Sequence, residues 1–460
     1  MNSTPEQLRF AAIPAHTIRA DFAGGGLSSD LGPILLRGVD LQIGLTKRIT
    51  AALPDRRHAS YISHSYQDLL TQRIYQIGCG YEDGNDSNSL RHDPMFKLGA
   101  ARLPFDDDAV LASGATISRF EHAATRKDIY RVSKTIIEQF IAGFSSPPKT
   151  LILDLDHSED AVYGQQPLAF YNHHYRSTCY LPLMIFDGIS GALVAAILRP
   201  GKRPLGAENA MIMRRVLKLI RHHFPDTHIL VRGDAHFSGP ELMGLIDGMS
   251  NTDFIFGFSS NVKLKVLAEP TLLRACDLWM SVQTQDVVPD AVRLFDEFDY
   301  RAGSWPRAWR MLLKAEVMAL GENPRFVVTS LAGLDAGALY EDIYCARGQS
   351  ENFIKHLKGD LAADRTSCTS FLANCMRLQL HATAYILHQQ LRTEALQHTP
   401  LSQAQPSTVI AKLFKIAVQV KQYKNKIILH LPSACPVKNL LRTLTERLYL
   451  PTHPKIVNSS

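Results

Sequence analysis

Two aspartates alternate with leucines in the stretch TLILDLD, and their placement marks a site where chemistry is possible. Residues Thr150–Asp156 have the composition of a buried β-strand, in which successive side chains point to opposite faces. The three leucines then share one face, and Asp154 and Asp156 share the other. Because aspartate is a poor strand former, two aspartates in a buried strand need an explanation. One explanation is that they bind a cation, and the other is that the strand ends there and the carboxylates reach water.

A third aspartate, Asp234, follows another predicted strand at residues 228–232. Between the two lie a predicted hairpin, 180–186 with 192–199, and a helix over 209–223; a second helix and a strand over 253–258 follow. This order of elements predicts an α/β fold with a ribonuclease-H-like core. In that core the first and fourth strands are neighbours, so Asp156 and Asp234 are expected to converge at a strand end, where sites are commonly built.

A helix predicted from residue 340 to about 358 carries a fourth acidic residue in a regular setting. Tyr344, Arg347, Glu351 and Lys358 are separated by three, four and seven residues, so a helix places all four on one face. A solvated Arg–Glu pair, worth a few tenths of a kcal/mol, is one explanation. The other makes Glu351 a metal ligand, with Arg347 and Lys358 beside it to grip phosphates.

The spacing Tyr-x2-Arg-x3-Glu-x6-Lys resembles the signature of a large branch of bacterial insertion-sequence transposases of the DDE type. The resemblance covers roughly residues 150–400 and implies that Asp156, Asp234 and Glu351 are catalytic. In such enzymes Ser or Thr commonly stands two residues after the first catalytic aspartate. Asp156-His157-Ser158 fits that pattern, which favours Asp156 over Asp154 and leaves Asp154, with Tyr344, in a supporting role.

Three carboxylates without histidine or cysteine form a hard-oxygen site, which suits Mg²⁺ or Mn²⁺. Two such ions would clamp the attacking and leaving oxygens of a displacement at phosphorus. Together with this chemistry, the resemblance implies that the reaction is cleavage and strand transfer at the ends of a mobile DNA element. The alternatives are a ribonuclease-H-like DNA nuclease that does not join strands, and a domesticated non-catalytic DNA-binding protein. The intact set of carboxylates argues against the latter.

A β-rich insertion is predicted over residues 259–335, and it contains Trp305 and Trp309 among arginines. In similar transposases a tryptophan from the insertion stacks on a flipped base, and such stacking is worth about 1–3 kcal/mol. The resemblance therefore suggests that both tryptophans bind DNA. For either one, a place in the core of the insertion is the simpler expectation.

The last 60 residues are strongly basic, with nine Lys or Arg and a single acid, Glu446. A basic segment on a near-neutral body suggests a polyanion partner, nucleic acid first. We expect its cations to contact phosphates, Lys421, Lys424 and Lys426 in particular. The tail could instead pack on the core, since Ile427, Ile428 and Leu429 are typical of a strand.

Composition bounds the organisation and setting of the chain. A mainly helical, DNA-binding region is predicted over 1–148, ending at a Ser-Ser-Pro-Pro break. Split core segments over 149–258 and 336–400 and the basic segment 401–460 follow. Seven scattered cysteines, no signal peptide and no apolar run of membrane length predict a soluble cytoplasmic, nucleoid-associated protein without a membrane partner. Double-stranded DNA, both inverted repeats and target, is the expected partner, bound by a homodimer.

Overall fold

The computed structural model describes residues 7–283 and 289–449, and the chain divides into two compact units. The central unit comprises Thr125–Gly359 and Ala363–Ala382. The terminal unit comprises Met1–Ala124, Asp360–Ala362 and Thr383–Ser460. The first division therefore falls at Ala124, not at the Ser-Ser-Pro-Pro break that the sequence suggests.

A nine-stranded mixed sheet forms the middle of the central unit. Its strands in chain order are β1 Thr150–His157, β2 Leu183–Asp187, β3 Leu193–Ile197, β4 His228–Gly233, β5 Thr252–Phe258, β6 Ala291–Tyr300, β7 Trp309–Met318, β8 Gly321–Glu322 and β9 Arg325–Thr329. The order across the sheet is β6-β7-β9-β5-β4-β1-β2-β3, with β8 paired to β7. β4 pairs in parallel with β1 and with β5, whereas the other neighbours are antiparallel. The protein thus has a mixed α/β fold.

The predicted adjacency of the first and fourth strands is confirmed. β1 and β4 run in parallel register, with Leu155 opposite Gly233. Parallel neighbours end at the same edge of a sheet, so the residues that close β1 and follow β4 are neighbours there. This edge holds Asp156 and Asp234.

The alternation along β1 separates two cores. Leu151, Leu153 and Leu155 are buried in the larger apolar cluster on one face. The helices that supply side chains to that cluster are Arg126–Ala142, Gly206–His223, Pro240–Asp247 and Val262–Val282. Ile152, on the other face, packs on a smaller cluster that includes Leu339 and Tyr340. Since Arg126–Ala142 lies over the sheet, the Ser-Ser-Pro-Pro break is a loop inside the central unit.

The insertion departs from the prediction of a separate β-rich subdomain. It begins with the 21-residue helix Val262–Val282, and its strands β6, β7 and β9 continue the central sheet beyond β5. β9 pairs with β5, and Phe326, Val327 and Val328 are buried. This pairing satisfies backbone groups of β5 that an exposed sheet edge would leave open.

A run of helical turns over residues 336–360, here called the site helix, follows β9. Its pieces are Ala336–Ala338, a π-helical Leu339–Tyr344, a 3₁₀ turn at Cys345–Gly348, the α-helical Gln349–Lys355 and a π-helical His356–Asp360. The long helix Phe371–Gln390 comes next and runs from the central into the terminal unit. A small sheet of Asp160–Ala161, Ser177–Tyr180 and Phe170–Asn172 completes the central unit.

The terminal unit is mainly helical, and it combines the first part of the chain with the tail. Its helical elements are Gly32–Ile43, Leu45–Ala52, Ala59–Tyr61, Tyr66–Gly78, Asp86–Leu90, Pro94–Gly99, Asp107–Ala109, Gly114–His122, Leu391–Ala395, Pro406–Val409, Ile410–Phe414 and Lys438–Tyr449. Its strands are a hairpin of Leu8–Ile13 with His16–Ala20, and a sheet of Ile427–His430, Val418–Gln422 and Leu27–Ser28. No helix in the described part of the chain meets the length and hydropathy that crossing a membrane requires.

Candidate active site

Asp154 forms a buried bidentate ion pair with Arg232 of β4. Arg232 donates from Nε to Oδ1 at 2.6 Å and from Nη2 to Oδ2 at 2.8 Å. The third nitrogen, Nη1, donates to the carbonyl of Ile343 in the site helix at 2.7 Å. Asp154 is 0% exposed, and a side chain at Gly188 would collide with the pair. Asp154 is thus committed to holding β1, β4 and the site helix together.

Asp156, two residues further along the same face of β1, lies in a different electrostatic setting. Its side chain is 17% exposed and its Oδ2 accepts a hydrogen bond from Nη1 of Arg347 at 3.3 Å. Burial raises the pKa of Asp156 to about 6, and the charges of Asp234 and Glu351 add to this rise while Arg347 opposes it. The ionised form of Asp156 is therefore disfavoured by burial and by two like charges, a setting that favours a nearby cation.

Asp234 begins the turn after β4. Its Oδ1 accepts the backbone N–H of His236 at 2.9 Å, and Oδ2 lies 3.5 Å from Nδ1 of the same histidine. Asp234 is partly exposed, and its charge acts on Asp156, Tyr344 and Arg347. The carboxylate is therefore accessible at the edge where β1 and β4 end.

Tyr344 reaches the same edge because β5 has a glycine there. A Cβ built on Gly257 would lie 2.6 Å from the Tyr344 hydroxyl and 3.1 Å from the backbone nitrogen of Ala235. Burial raises the pKa of Tyr344; the guanidinium of Arg347 opposes the rise and the charge of Asp234 adds to it. The Arg347 guanidinium lies 6.0 Å from the Tyr344 ring centroid. Tyr344 thus packs between the end of β5 and Arg347.

Glu351 lies in the first turn of the α-helical part of the site helix and is exposed. Its charge acts on both Asp156 and Arg347. Phe353, two residues on, packs on Phe186 of β2 with ring centroids 5.6 Å apart. Gly191, at φ 71°, leaves room for the same ring, since a Cβ there would approach it to 2.6 Å. These contacts hold the helix that carries Glu351 over β1 and β2.

Lys358 binds the loop that follows β1. Its Nζ donates to Ser158 Oγ at 2.9 Å and to the carbonyl of Glu159, and it lies 3.4 Å from Asp160 Oδ1. Asp160 is fully buried, and burial raises its pKa to about 7. Lys358 therefore fixes this loop, and its ammonium group is already engaged by protein oxygens.

The three predicted ligands are electrostatic neighbours, yet they do not form a metal cage. No group of three His, Cys, Asp or Glu within residues 7–283 and 289–449 is arranged to hold a metal ion. The expectation of a preformed common metal position is therefore not met. In this arrangement the cation that pairs with Asp156 is the guanidinium of Arg347. The donor set itself, three carboxylates, fits a hard divalent cation.

Comparison with known proteins decides the family. A family model described as Transposase DDE domain group 1 matches residues 10–452. The chain belongs to this family. A comparison with curated proteins gives no match. A cryo-EM structure of a piggyBac transposase synaptic complex with hairpin DNA is similar at 12% identity and a TM-score of 0.40, covering 92% of this chain and 83% of that chain.

In this DDE transposase the two insertion tryptophans are core residues, which corrects the prediction that they bind DNA. Trp305 is 3% exposed and lies 5.1 Å from Phe258 between ring centroids. Trp309 is 4% exposed, lies 5.1 Å from Phe254, and has the Arg307 guanidinium 3.7 Å over its ring. Neither ring has a face open to a base, because the insertion continues the central sheet and shares its core.

The basic segment contains exposed cations and cations that bond to the rest of the terminal unit. Lys421, Lys424 and Lys426 are exposed on the hairpin of Val418–Gln422 and Ile427–His430. Lys412, Lys438 and Arg442 are exposed as well. Lys415, by contrast, pairs with Asp30 at 2.7 Å and Arg447 donates to the carbonyls of Ala395 and Gln397, so these two cations have structural roles. Lys455 lies outside the described residues.

Sequence reasoning missed three residues at the site. Arg232 precedes Asp234 by two positions, and its pairing with Asp154 across parallel strands follows from the register, which places the two residues opposite each other. Gly257 gave a signal as the only glycine in the apolar strand DFIFGF. Tyr175, after Phe170–Asn172, is the third: burial raises its pKa to about 12, and the charges of Asp156 and Asp234 add to the rise. No sequence pattern marked it.

Proposed function

We propose that this protein is a cut-and-paste transposase of an insertion sequence, with Asp156, Asp234 and Glu351 as its catalytic carboxylates. One observation carries the proposal. The carboxyl ends of the parallel strands β1 and β4 bring Asp156 next to Asp234, and Arg347 of the Tyr-x2-Arg-x3-Glu-x6-Lys helix bonds directly to Asp156. Membership of the DDE transposase family supplies the reaction class.

A ribonuclease-H-like core is the fold that we infer for the catalytic part. Its five strands would be β1 to β5, whose order across the sheet is β3-β2-β1-β4-β5. The first three form an antiparallel meander, and the last two return in parallel beside the first. In this fold β6, β7 and β9 are an extension contributed by the insertion.

Divalent cations, Mg²⁺ or Mn²⁺, are the cofactors we propose. Asp156, Asp234 and Glu351 would hold two of them, and the ions would supply activation of the attacking oxygen and stabilisation of the leaving oxygen. Asp154 is excluded from this set because both of its oxygens are taken by Arg232. Burial raises the pKa of Asp156, and the charges of Asp234 and Glu351 add to that rise; a bound cation would offset these two charges, which supports the assignment.

The remaining residues position these carboxylates and the DNA. Arg347 neutralises Asp156 and is placed to offer its guanidinium to a phosphate, for which its planar fork is suited. Arg232 locks Asp154 and the site helix, which fixes the distance between β1 and Glu351's helix. Lys358 holds the loop after Asp156, so its part is positioning, with phosphate contact only if it exchanges partners.

The DNA partners we propose are terminal inverted repeats and target duplex, bound by a homodimer in the cytoplasm. The terminal unit would contribute DNA binding, with Lys421, Lys424 and Lys426 contacting phosphates. Their exposure on a hairpin, with no acid in residues 401–445, supports this. Lysines act on phosphates as point charges, so this contact positions the protein without reading sequence.

A strand-transfer assay tests the proposal. End-labelled DNA carrying the inverted repeats that flank the gene is incubated with the protein in Mg²⁺ and a supercoiled target plasmid. A transposase yields labelled target, whereas a nuclease of the same fold yields only cleaved ends. Joined product that survives deproteinisation supports the proposal, and cleavage without any joining contradicts it.

A further inference from the structure

The terminal unit contains a cleft of about 500 Å³, distinct from the carboxylate site. It is bounded by the segment Arg57–Tyr66, by Arg91, and by the first two turns of the helix Gly114–His122. Its volume lies within the range of about 300–1,000 Å³ usual for small-molecule sites. A duplex is too wide for such a space, whereas a single nucleotide unit is of suitable size.

Basic side chains line the cleft. They are Arg57, Arg91 and Arg119, together with His64, and Arg57 is already in a bidentate pair with Asp55. The Nε of Arg91 is buried and has no hydrogen-bond partner in the part of the chain that is described. Because Nε is inaccessible, only the terminal nitrogens of Arg91 can donate to a ligand in the cleft. The guanidinium groups of Arg91 and Arg119 on one cleft favour an anion.

Aromatic side chains accompany the arginines. Tyr61 is 83% exposed. Tyr66 carries the Arg57 guanidinium 4.5 Å from its ring centroid, and Phe120 meets Tyr66 edge-on with centroids 5.2 Å apart. An aromatic surface beside a cationic one is the arrangement that binds unpaired bases together with their phosphates.

The helix Gly114–His122 contributes side chains to the cleft. Three N–H groups of its first turn are already engaged: that of Gly114 donates to Asn88 Oδ1, and those of Thr116 and Ile117 donate to the Ser113 carbonyl. Arg119 donates from Nη2 to Thr116 Oγ1 at 2.9 Å, which orients its guanidinium.

We propose that this cleft binds one nucleotide of a single-stranded DNA segment, with the phosphate on Arg91 and Arg119 and the base against Tyr61. The proposal rests on the proposed function only in naming DNA as the source of the nucleotide. A free nucleotide has the same chemistry, and the experiment separates the two sources.

The test uses the full-length protein and a fluorescein-labelled single-stranded octanucleotide, followed by anisotropy. Tyr61→Ala should weaken binding about 5- to 150-fold, the range for loss of base stacking. Arg91→Gln should weaken it and reduce the slope of log affinity against log salt by about 0.7. Arg9→Gln, an equal loss of charge on the exposed hairpin of the same unit, should change neither property as much.

Three results would overturn the inference. Unchanged octanucleotide affinity in both cleft variants is the first, and an equal loss in Arg9→Gln is the second. The third is binding of free dTMP, measured by calorimetry, with no binding of the octanucleotide. Strand transfer is measured in parallel on the wild type. If the cleft fails these tests while the protein still joins DNA, the cleft inference is rejected and the proposed function stands. If the cleft binds the octanucleotide but the protein does not join DNA, the proposed function is rejected and the cleft inference stands.

Discussion

The sharpest consequence of the site geometry is that two aspartates on one strand face should differ in how much the same substitution destabilises the protein. Asp154→Asn removes one charge from a bidentate pair in which Asp154 is 0% and Arg232 is 2% exposed. Breaking a buried ion pair leaves the partner charge uncompensated and costs about 3–5 kcal/mol. Arg232 also holds Ile343, so the site helix should loosen as well.

Asp156→Asn should behave differently. Asp156 is partly exposed, and its ionised form is opposed by burial and by the charges of Asp234 and Glu351. Removing that charge relieves repulsion, although it also removes the partner of Arg347. Because these two effects oppose each other, we expect a change in stability within about 1 kcal/mol in either direction, together with loss of cleavage.

Urea unfolding followed by tryptophan fluorescence is the appropriate assay, because Trp279, Trp305 and Trp309 all lie in the central unit. With a denaturant slope of up to about 3 kcal/mol per molar, Asp154→Asn should lower the midpoint by about 1 M or more. The double variant Asp154→Leu/Arg232→Met should recover much of the loss, because it leaves no unpaired charge. A stable Asp154→Asn beside an unstable Asp156→Asn would refute the assignment of their roles.

Three further predictions follow from particular contacts. Gly257→Ala should displace Tyr344, lower the stability by about 1–3 kcal/mol and abolish cleavage. Gly244→Ala is the control, because a Cβ there meets nothing within 4 Å, and it should leave cleavage and stability intact. Equal behaviour of the two variants in urea unfolding and cleavage assays would contradict this. Alanine at Lys421, Lys424 and Lys426 together should reduce the slope of log affinity for duplex DNA against log salt by up to about 2.7. Lys415→Ala, the control, should lower stability through loss of its Asp30 pair without changing that slope. An unchanged slope in the triple variant would show that the three lysines face solvent. Burial lowers the pKa of His388 from 6.5 to about 4. Between these pH values His388 is protonated in the unfolded chain but neutral in the folded one. About 3 kcal/mol of stability should therefore be lost as pH falls from 6.5 to 4. His388→Gln should reduce this loss in calorimetric unfolding, and an identical pH profile would contradict the attribution.

Local patterns predicted the elements that build the site. Period-two alternation gave β1, found at Thr150–His157, and a parallel neighbour ending beside it, found at His228–Gly233. The strand β1 is visible in the sequence because its side chains alternate between two faces. The adjacency of β1 and β4 is visible because the order of the predicted elements is that of a common topology. The spacing of Tyr344, Arg347, Glu351 and Lys358 predicted a helix with all four on one face. The segment is helical but changes between π, 3₁₀ and α geometry. Arg347 and Lys358 bond to Asp156 and Ser158, at the end of β1 and just after it.

Long-range pairing could not be read from the same patterns. Nothing in TLILDLD distinguishes an aspartate with a buried arginine partner from one facing solvent, since the partner lies on another strand. The sequence around Trp305 and Trp309 is compatible with a DNA-binding surface and with a core. Which of the two is formed depends on whether the insertion strands join the central sheet. The Ser-Ser-Pro-Pro break marks a turn in either case, so it could not fix a unit boundary.

The most direct test of the central claim is Mg²⁺-dependent cleavage of the element end by Asp234→Asn, compared with end binding in the same preparation. An amide is nearly isosteric with the carboxylate but a weaker ligand for a hard cation, so end binding should persist while cleavage and strand transfer fall to background. Asp234 is partly exposed in the turn after β4, and its side chain accepts the backbone N–H of His236, a bond that an asparagine Oδ1 can also accept, so the fold should be retained. Cleavage by this variant at the wild-type rate in Mg²⁺ would contradict the claim that Asp156, Asp234 and Glu351 form the catalytic centre.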